Sequence, residues 1–148
     1  MSTESPNGSL GEPLADLAIR EVVELHHFFN QWLGAPSKEK LDIARLAGVL
    51  DPSFRLAAPD GGVRQRQPLI DWIAGVRGSR GADFRIDVAD FVVVWQSPEA
   101  VLLEYLETQY IDGKTTKRLS TALFCREPKA PCGVVWRHLQ ETWLQPGA

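Results

Sequence analysis

From Glu99 to Leu144 apolar and polar side chains run in three long stretches, each rich in β-branched and aromatic residues and each bounded by turn formers. The first two stretches meet at Ile111-Asp112-Gly113-Lys114, where Asp-Gly supplies the two positive-φ positions of a tight hairpin. The pattern predicts a meander of three long antiparallel strands. A fourth strand is expected just before it, over Phe84 to Gln96, with Ser97-Pro98 as the turn into the meander. Neither face of the meander is uniformly polar, so both faces need a cover.

Upstream the period is that of a helix. Leu14, Leu17, Ala18, Val22, Leu25, Phe28, Phe29 and Trp32 recur at three- and four-residue steps. They predict a helix of about six turns, opened by Pro13 and stopped by Gly34 and Pro36. Ser37 is expected to cap a second helix carrying Leu41, Ile43, Ala44, Leu46, Ala47 and Leu50, which Asp51-Pro52 ends. Phe54, Leu56 and Ala58 then alternate as a short strand, and Pro59-Asp60-Gly61-Gly62 folds it into a small hairpin with Val63 to Gln67. Pro68 opens a third helix, with Leu69, Trp72, Ile73 and Val76 on one face and Gly78 and Gly81 past its end. The order implies an α+β fold: a curved antiparallel sheet of four long strands plus a short hairpin, wrapped around three helices from the N-terminal half. Residues 13–144 read as a single domain, between a disordered tail over 1–12 and a short tail over 145–148.

Length and composition narrow the function. A chain of 148 residues buries enough surface for a sizeable core. Net charge is −3 with 24% charged residues, which offers nothing to a polyanion and excludes nucleic acid as the expected partner. No apolar run approaches the ~18 residues a bilayer requires, and the first residues lack a basic-then-apolar leader. A cytoplasmic protein with no membrane partner is expected, its Cys125 and Cys132 reduced. Metal-ligand spacing, a phosphate-binding glycine loop and a nucleophile elbow are all missing, so neither metal nor cofactor is expected.

Thr108-Gln109-Tyr110-Ile111-Asp112-Gly113 and the terminal Trp136-Arg137-His138-Leu139-Gln140-Glu141-Thr142-Trp143 resemble segments of one superfamily. From about Pro13 to Leu144 the chain is similar to nuclear transport factor 2-like proteins of the cystatin-like cone fold. Within that superfamily it resembles the SnoaL-like domains of unknown function and the association domain of calcium/calmodulin-dependent protein kinase II. The resemblance implies a free-standing bacterial member, with no kinase domain or linker expected before it. The resemblance implies a sheet curled into a cone with a pocket at its open end. It also implies that Leu102, Glu104, Leu106, Thr108 and Tyr110 of one strand, with Arg118, Ser120, Ala122 and Phe124 of the next, face that pocket. Two pocket arginines of the kinase association domain fall on Leu106 and Ala122 here, leaving Arg118 near the mouth as the compensating cation. Histidines that family members carry near the end fall on Gln140 and Thr142.

Glu104 is the candidate catalytic residue, because a carboxyl buried mid-strand among Leu102, Leu106 and Phe124 acquires a raised pKa and can move a proton. The alternative is a structural Glu hydrogen-bonded to Arg118 or Ser120. The candidate ligand-binding residues are Trp32, Trp72, Leu106, Thr108, Tyr110, Arg118, Ser120 and Phe124, an aromatic wall with a few polar groups. Asp87 and Asp90 are expected at the surface or strand edge. On the last strand, Trp136, His138, Gln140 and Thr142 are expected on one face, with Arg137, Leu139, Glu141 and Trp143 on the other. His138 reads as a hydrogen-bonded core or interface residue. His26 and His27 are exposed by default, with one of them able to reach the pocket beside Phe29 or Trp32.

Three functions fit. The first is binding of a small, mostly apolar molecule in the cone. The second is an enzyme of the isomerase, cyclase or hydratase kind, using Glu104 as acid or base with Tyr110, Ser120 or Arg118 stabilising negative charge. The third is a homo-oligomeric assembly module without ligand. A homodimer through the convex sheet face suits all three, since Val101, Leu103, Tyr105, Leu119, Leu123 and Trp136 otherwise leave an apolar patch exposed there.

Overall fold

Helix α1 (Leu14–Leu33) begins directly after Pro13 and sinks Leu14, Leu17, Ala18, Val22, Leu25, Phe28 and Trp32 into the core along one stripe. The computed structural model describes residues 12–34 and 40–145. The expected N-terminal tail (except Glu12), the Ser37 cap and the C-terminal tail beyond Gln145 lie outside the described residues. After α1 come α2 (Ala44–Ala47), β1 (Leu50–Ala57), β2 (Val63–Gln65), α3 (Arg66–Gly75), β3 (Arg85–Gln96), β4 (Ala100–Ile111), β5 (Lys114–Arg126) and β6 (Val134–Trp143). The six strands form one curved, unclosed sheet in the order β2-β1-β6-β5-β4-β3. Helix α1 packs across its concave side, against β3, β4 and β6.

The meander and its hairpin follow from local chemistry. Ile111 pairs with Lys114 across a two-residue turn in which Asp112 and Gly113 both take positive φ, 51° and 76°. That geometry matches the right-handed twist of the flanking strands.

Two local expectations give way to tertiary pairing. The second helix shrinks to the single turn α2, and Leu50 belongs to β1, where it pairs with Trp136 of β6. The Trp136 amide donates to the Val49 carbonyl at 2.7 Å, a ladder bond that a helix through Leu50 would forfeit. Pro52 lies inside β1, where the register with β6 shifts between Leu50 and Arg55, so its missing N–H interrupts no regular ladder. Because β1 runs parallel to β6, the sheet is mixed and not wholly antiparallel. Helix α3 starts two residues before Pro68, which still lies in the first turn, where backbone N–H groups have no helical acceptor.

Alternation decides which side chains reach the interior. On β4, Val101, Leu103, Tyr105 and Glu107 are buried, while Leu102, Glu104 and Leu106 between them are only half-buried. The first set therefore faces α1, and the face expected from the resemblance is reversed on this strand. On β6 the register shifts opposite Leu123 and Phe124, so that Phe124 faces Trp136 and Leu123 faces His138. The extra residue swaps the two sides. Trp136 is thus interior together with Leu139 and Glu141, and His138, Gln140 and Thr142 lie on the convex side.

Candidate functional site

The open end of the cone holds a cavity of about 170 Å³. Leu25, His26, Phe29 and Leu33 of α1 form one wall. Leu46, Leu50, Phe54 and Leu56 form another, Leu69, Trp72, Ile73 and Arg80 a third, and Ile86, Trp136 and Leu139 come from the sheet. Glu107 and Gln109 of β4, Arg118 of β5 and Glu141 of β6 complete the lining. The walls are hydrocarbon and aromatic, and most of the polarity is gathered in one corner.

That corner is built by cross-strand register. Glu107 stands opposite Arg118, and Arg118 opposite Trp143, so Glu107, Arg118 and Glu141 project from adjacent strands on the same face. Arg118 Nη1 donates to Glu141 Oε1 at 3.3 Å, and Arg118 Nε lies 3.7 Å from Glu107 Oε2. The Trp143 ring lies 4.6 Å from the guanidinium carbon. From α1, His26 Nε2 meets Glu107 Oε1 at 3.0 Å while its Nδ1 meets the Val22 carbonyl at 2.7 Å. A carbonyl can only accept, so Nδ1 carries a hydrogen, and the second nitrogen shares another with the carboxylate. Gln109 Nε2 donates to the other Glu107 oxygen at 2.6 Å.

These contacts shift the charges. Burial raises Glu107, but the His26 hydrogen bond and charge, joined by Arg118, outweigh it and hold the carboxyl below its ordinary value. Burial lowers His26, and Glu107 more than reverses this, so the imidazole is held above its ordinary value. The two form a buried, hydrogen-bonded acid–base pair. Glu141 behaves differently: burial, then repulsion by Glu107, pushes it up to about 7, with Arg118 pulling back. Its carboxyl gains and loses a proton near neutrality inside an apolar cavity, the property a general acid or base needs. Behind the corner, Tyr105 and Ser120 are cross-strand partners, and their buried hydroxyls make no hydrogen bond among the described residues. Burial puts the Tyr105 phenol well above its ordinary range.

Of the residues singled out from the sequence, Arg118 and Trp72 line the cavity. Glu104, Leu106, Thr108 and Tyr110 do not, because they stand on the other face of β4 from Glu107 and Gln109. Ser120 and Phe124 face inward but are core, with Phe124 packed on Trp136 at 4.5 Å between ring centroids. Trp32 is core as well: it stacks on Phe28 and donates Nε1–H to the Ile73 carbonyl at 2.8 Å. Asp87 is exposed and pairs with Arg85, and Asp90 sits at positive φ where β3 bulges against β4. His26 is buried, and His27 is exposed. Cys125 and Cys132 are free thiols. Glu107, Gln109 and Glu141 were not expected here. For Glu107 the signal was present, since counting outward from the Asp112-Gly113 turn brings it opposite Arg118 and brings Glu104 opposite Thr121.

No protein-family model matches the chain. Among solved structures, a protein of unknown function from Pseudomonas aeruginosa superposes with a TM-score of 0.78 at 25% identity, covering 87% of this chain and 99% of that one. It is described as NTF-2 like. The fold is nuclear transport factor 2-like. Other NTF2-like structures share it at lower identity. A Cytophaga hutchinsonii NTF2-like protein gives a TM-score of 0.65 at 12% identity over 90% of this chain and all of that one. The CaMKII hub of S. rosetta gives 0.65 at 11% identity over 97% of this chain and all of that one. By sequence, sucrose-phosphatase 1 of Nicotiana tabacum is 26% identical over 132 residues, 86% of this chain and 31% of that protein. The chain thus spans about a third of the length of the curated relatives it matches. No helix among the described residues is long and apolar enough to cross a membrane.

Proposed function

We propose that this NTF2-like chain binds a small, mostly apolar molecule in the cone cavity and does so in the cytoplasm. The observation that carries the reading is the cavity itself: about 170 Å³, walled by hydrocarbon and aromatic side chains, with one polar corner. Apolar cavities of roughly 150 Å³ accommodate benzene. The ligand is therefore about the size of one six-membered ring, smaller than the occupant of an ordinary drug-sized pocket. Titration with benzene or methylcyclohexane, followed through the indole N–H resonances of Trp72 and Trp136, is expected to give saturable shifts. Leu139→Trp, which fills the cavity, should abolish them. Unchanged spectra at ligand saturation in the parent protein would sink the reading.

The alternative of an acid–base enzyme rests on Glu141 in place of Glu104, because Glu141 is the cavity carboxyl poised near neutrality. The same samples test it. With cyclohexanone in heavy water, protein-dependent exchange of the protons beside the carbonyl should appear and vanish in Glu141→Gln; exchange at the buffer rate rejects catalysis.

A further inference from the structure

We infer that the ligand of this cavity is a ring-sized alcohol, its hydroxyl bridging Arg118 and Glu141. The inference rests on the binding function proposed above and adds the chemical class of the ligand. The five polar side chains of the corner are not equally available. His26 and Glu107 are sealed against each other, with side chains 6% and 5% exposed and Gln109 on the second Glu107 oxygen, whereas Arg118 is 14% and Glu141 9% exposed. The Arg118–Glu141 contact of 3.3 Å is long for a charge-assisted hydrogen bond, which ordinarily closes to about 2.7–2.9 Å. Donor and acceptor are both under-used and adjacent. The group that satisfies them together must accept from a guanidinium and donate to a carboxylate, and a hydroxyl does both through one oxygen.

Other end groups fit worse. A carbonyl only accepts, and leaves the ionised form of Glu141 facing its lone pairs. A carboxylate faces both Glu107 and Glu141. An ammonium faces the Arg118 guanidinium. Of these four end groups only the hydroxyl suits Glu141 in either protonation state, since it donates to the carboxylate and accepts from the acid.

The charged groups facing Glu141 are Glu107 from β4, Arg118 from β5 and His26 from α1. Arg80, after α3, lines the same cavity. Glu141 gains its proton near pH 7, so a ketone should bind better in acid while an alcohol should not.

The test compares cyclohexanol, cyclohexanone, cyclohexanecarboxylate and methylcyclohexane by calorimetric titration at pH 6 and pH 8. At pH 8 cyclohexanol is expected to bind at least about tenfold tighter than each of the other three, the gain of one hydrogen-bonded charged pair. Its affinity should change less than about threefold between the two pH values, while that of cyclohexanone rises about tenfold at pH 6. Glu141→Leu should remove the preference for the alcohol yet keep methylcyclohexane binding, which also reports that the variant is folded. Equal affinity for alcohol and hydrocarbon, tighter binding of the ketone or carboxylate at pH 8, or a preference that survives Glu141→Leu overturns the inference and leaves the cavity reading intact. Binding of none of the four removes both.

Discussion

At the scale of single residues the buried carboxyls differ by what each one touches. Glu21 is fully buried, yet Arg45 grips it through two nitrogens at 2.9 and 3.3 Å and Trp136 donates Nε1–H to it at 2.9 Å. Burial still raises its pKa above the ordinary value, and Arg45 limits the rise. Glu107 is compensated by His26 and Arg118, while Glu141 has a share of Arg118 and a weaker pull from His26 against the repulsion of Glu107. The consequence is a definite pH dependence of stability. Glu141 folded titrates at about 7 against 4.5 in the open chain, so the native state holds the extra proton across that interval and loses stability as pH rises through it. His26, raised by Glu107, acts in the same direction, since its contribution is complete below pH 6.5 and fades as pH climbs through the folded value. Glu107, lowered, contributes above pH 4.5 and fails only in acid. Unfolding free energies from urea titration are expected to fall between pH 5 and pH 8 by on the order of 2 kcal/mol. Glu141→Gln should flatten the part below pH 7. A profile that rises over this range, or one that Glu141→Gln leaves unchanged, contradicts the assignment.

Among the elements, β3 shows how a sheet edge is tied to a helix. It has β4 on one side and, among the described residues, no strand on the other. Asn30 near the end of α1 takes up part of that free edge: its Oδ1 accepts the Ile86 amide at 2.6 Å and its Nδ2 donates to the Ile86 carbonyl at 3.0 Å, as a paired strand would. Beyond the bulge at Asp90 the edge is open, with Val92, Val93, Val94 and Trp95 each 40–54% exposed. Asn30→Ala removes both bonds and is expected to cost about 2 kcal/mol. Amide exchange at Ile86 should accelerate at least about tenfold, and an unaltered exchange rate would show that α1 does not anchor the edge. None of this is visible in the helical period of α1, where Asn30 reads as an ordinary surface position.

For the molecule as a whole, the convex face of the sheet remains. It carries Leu102 and Leu106 of β4 and Leu119 and Leu123 of β5, with Val92 and Trp95 of β3 beside them. Val101, Leu103, Tyr105 and Trp136, expected on this face, are interior. We propose that a second copy of the chain covers it, which removes apolar surface from water on both copies at once. Light scattering at tens of micromolar should give twice the chain mass, and Leu106→Glu combined with Leu123→Glu should give a monomer; a monomeric parent protein ends the proposal. The four long strands, their hairpin, the long helix and the α+β architecture were determined by the amino-acid sequence, because period, Asp-Gly and proline act over a few residues. The side of β4 that faces inward was implicit too, in the register that a two-residue turn imposes on Glu107 and Arg118. Three things only the tertiary structure decided: that β1 joins β6 in parallel and displaces a helix, that an extra residue in β6 turns Glu141 into the cavity, and that His26 meets Glu107 across the core. Each depends on partners from distant parts of the chain, and local pattern carries no record of a partner that is brought near only by folding.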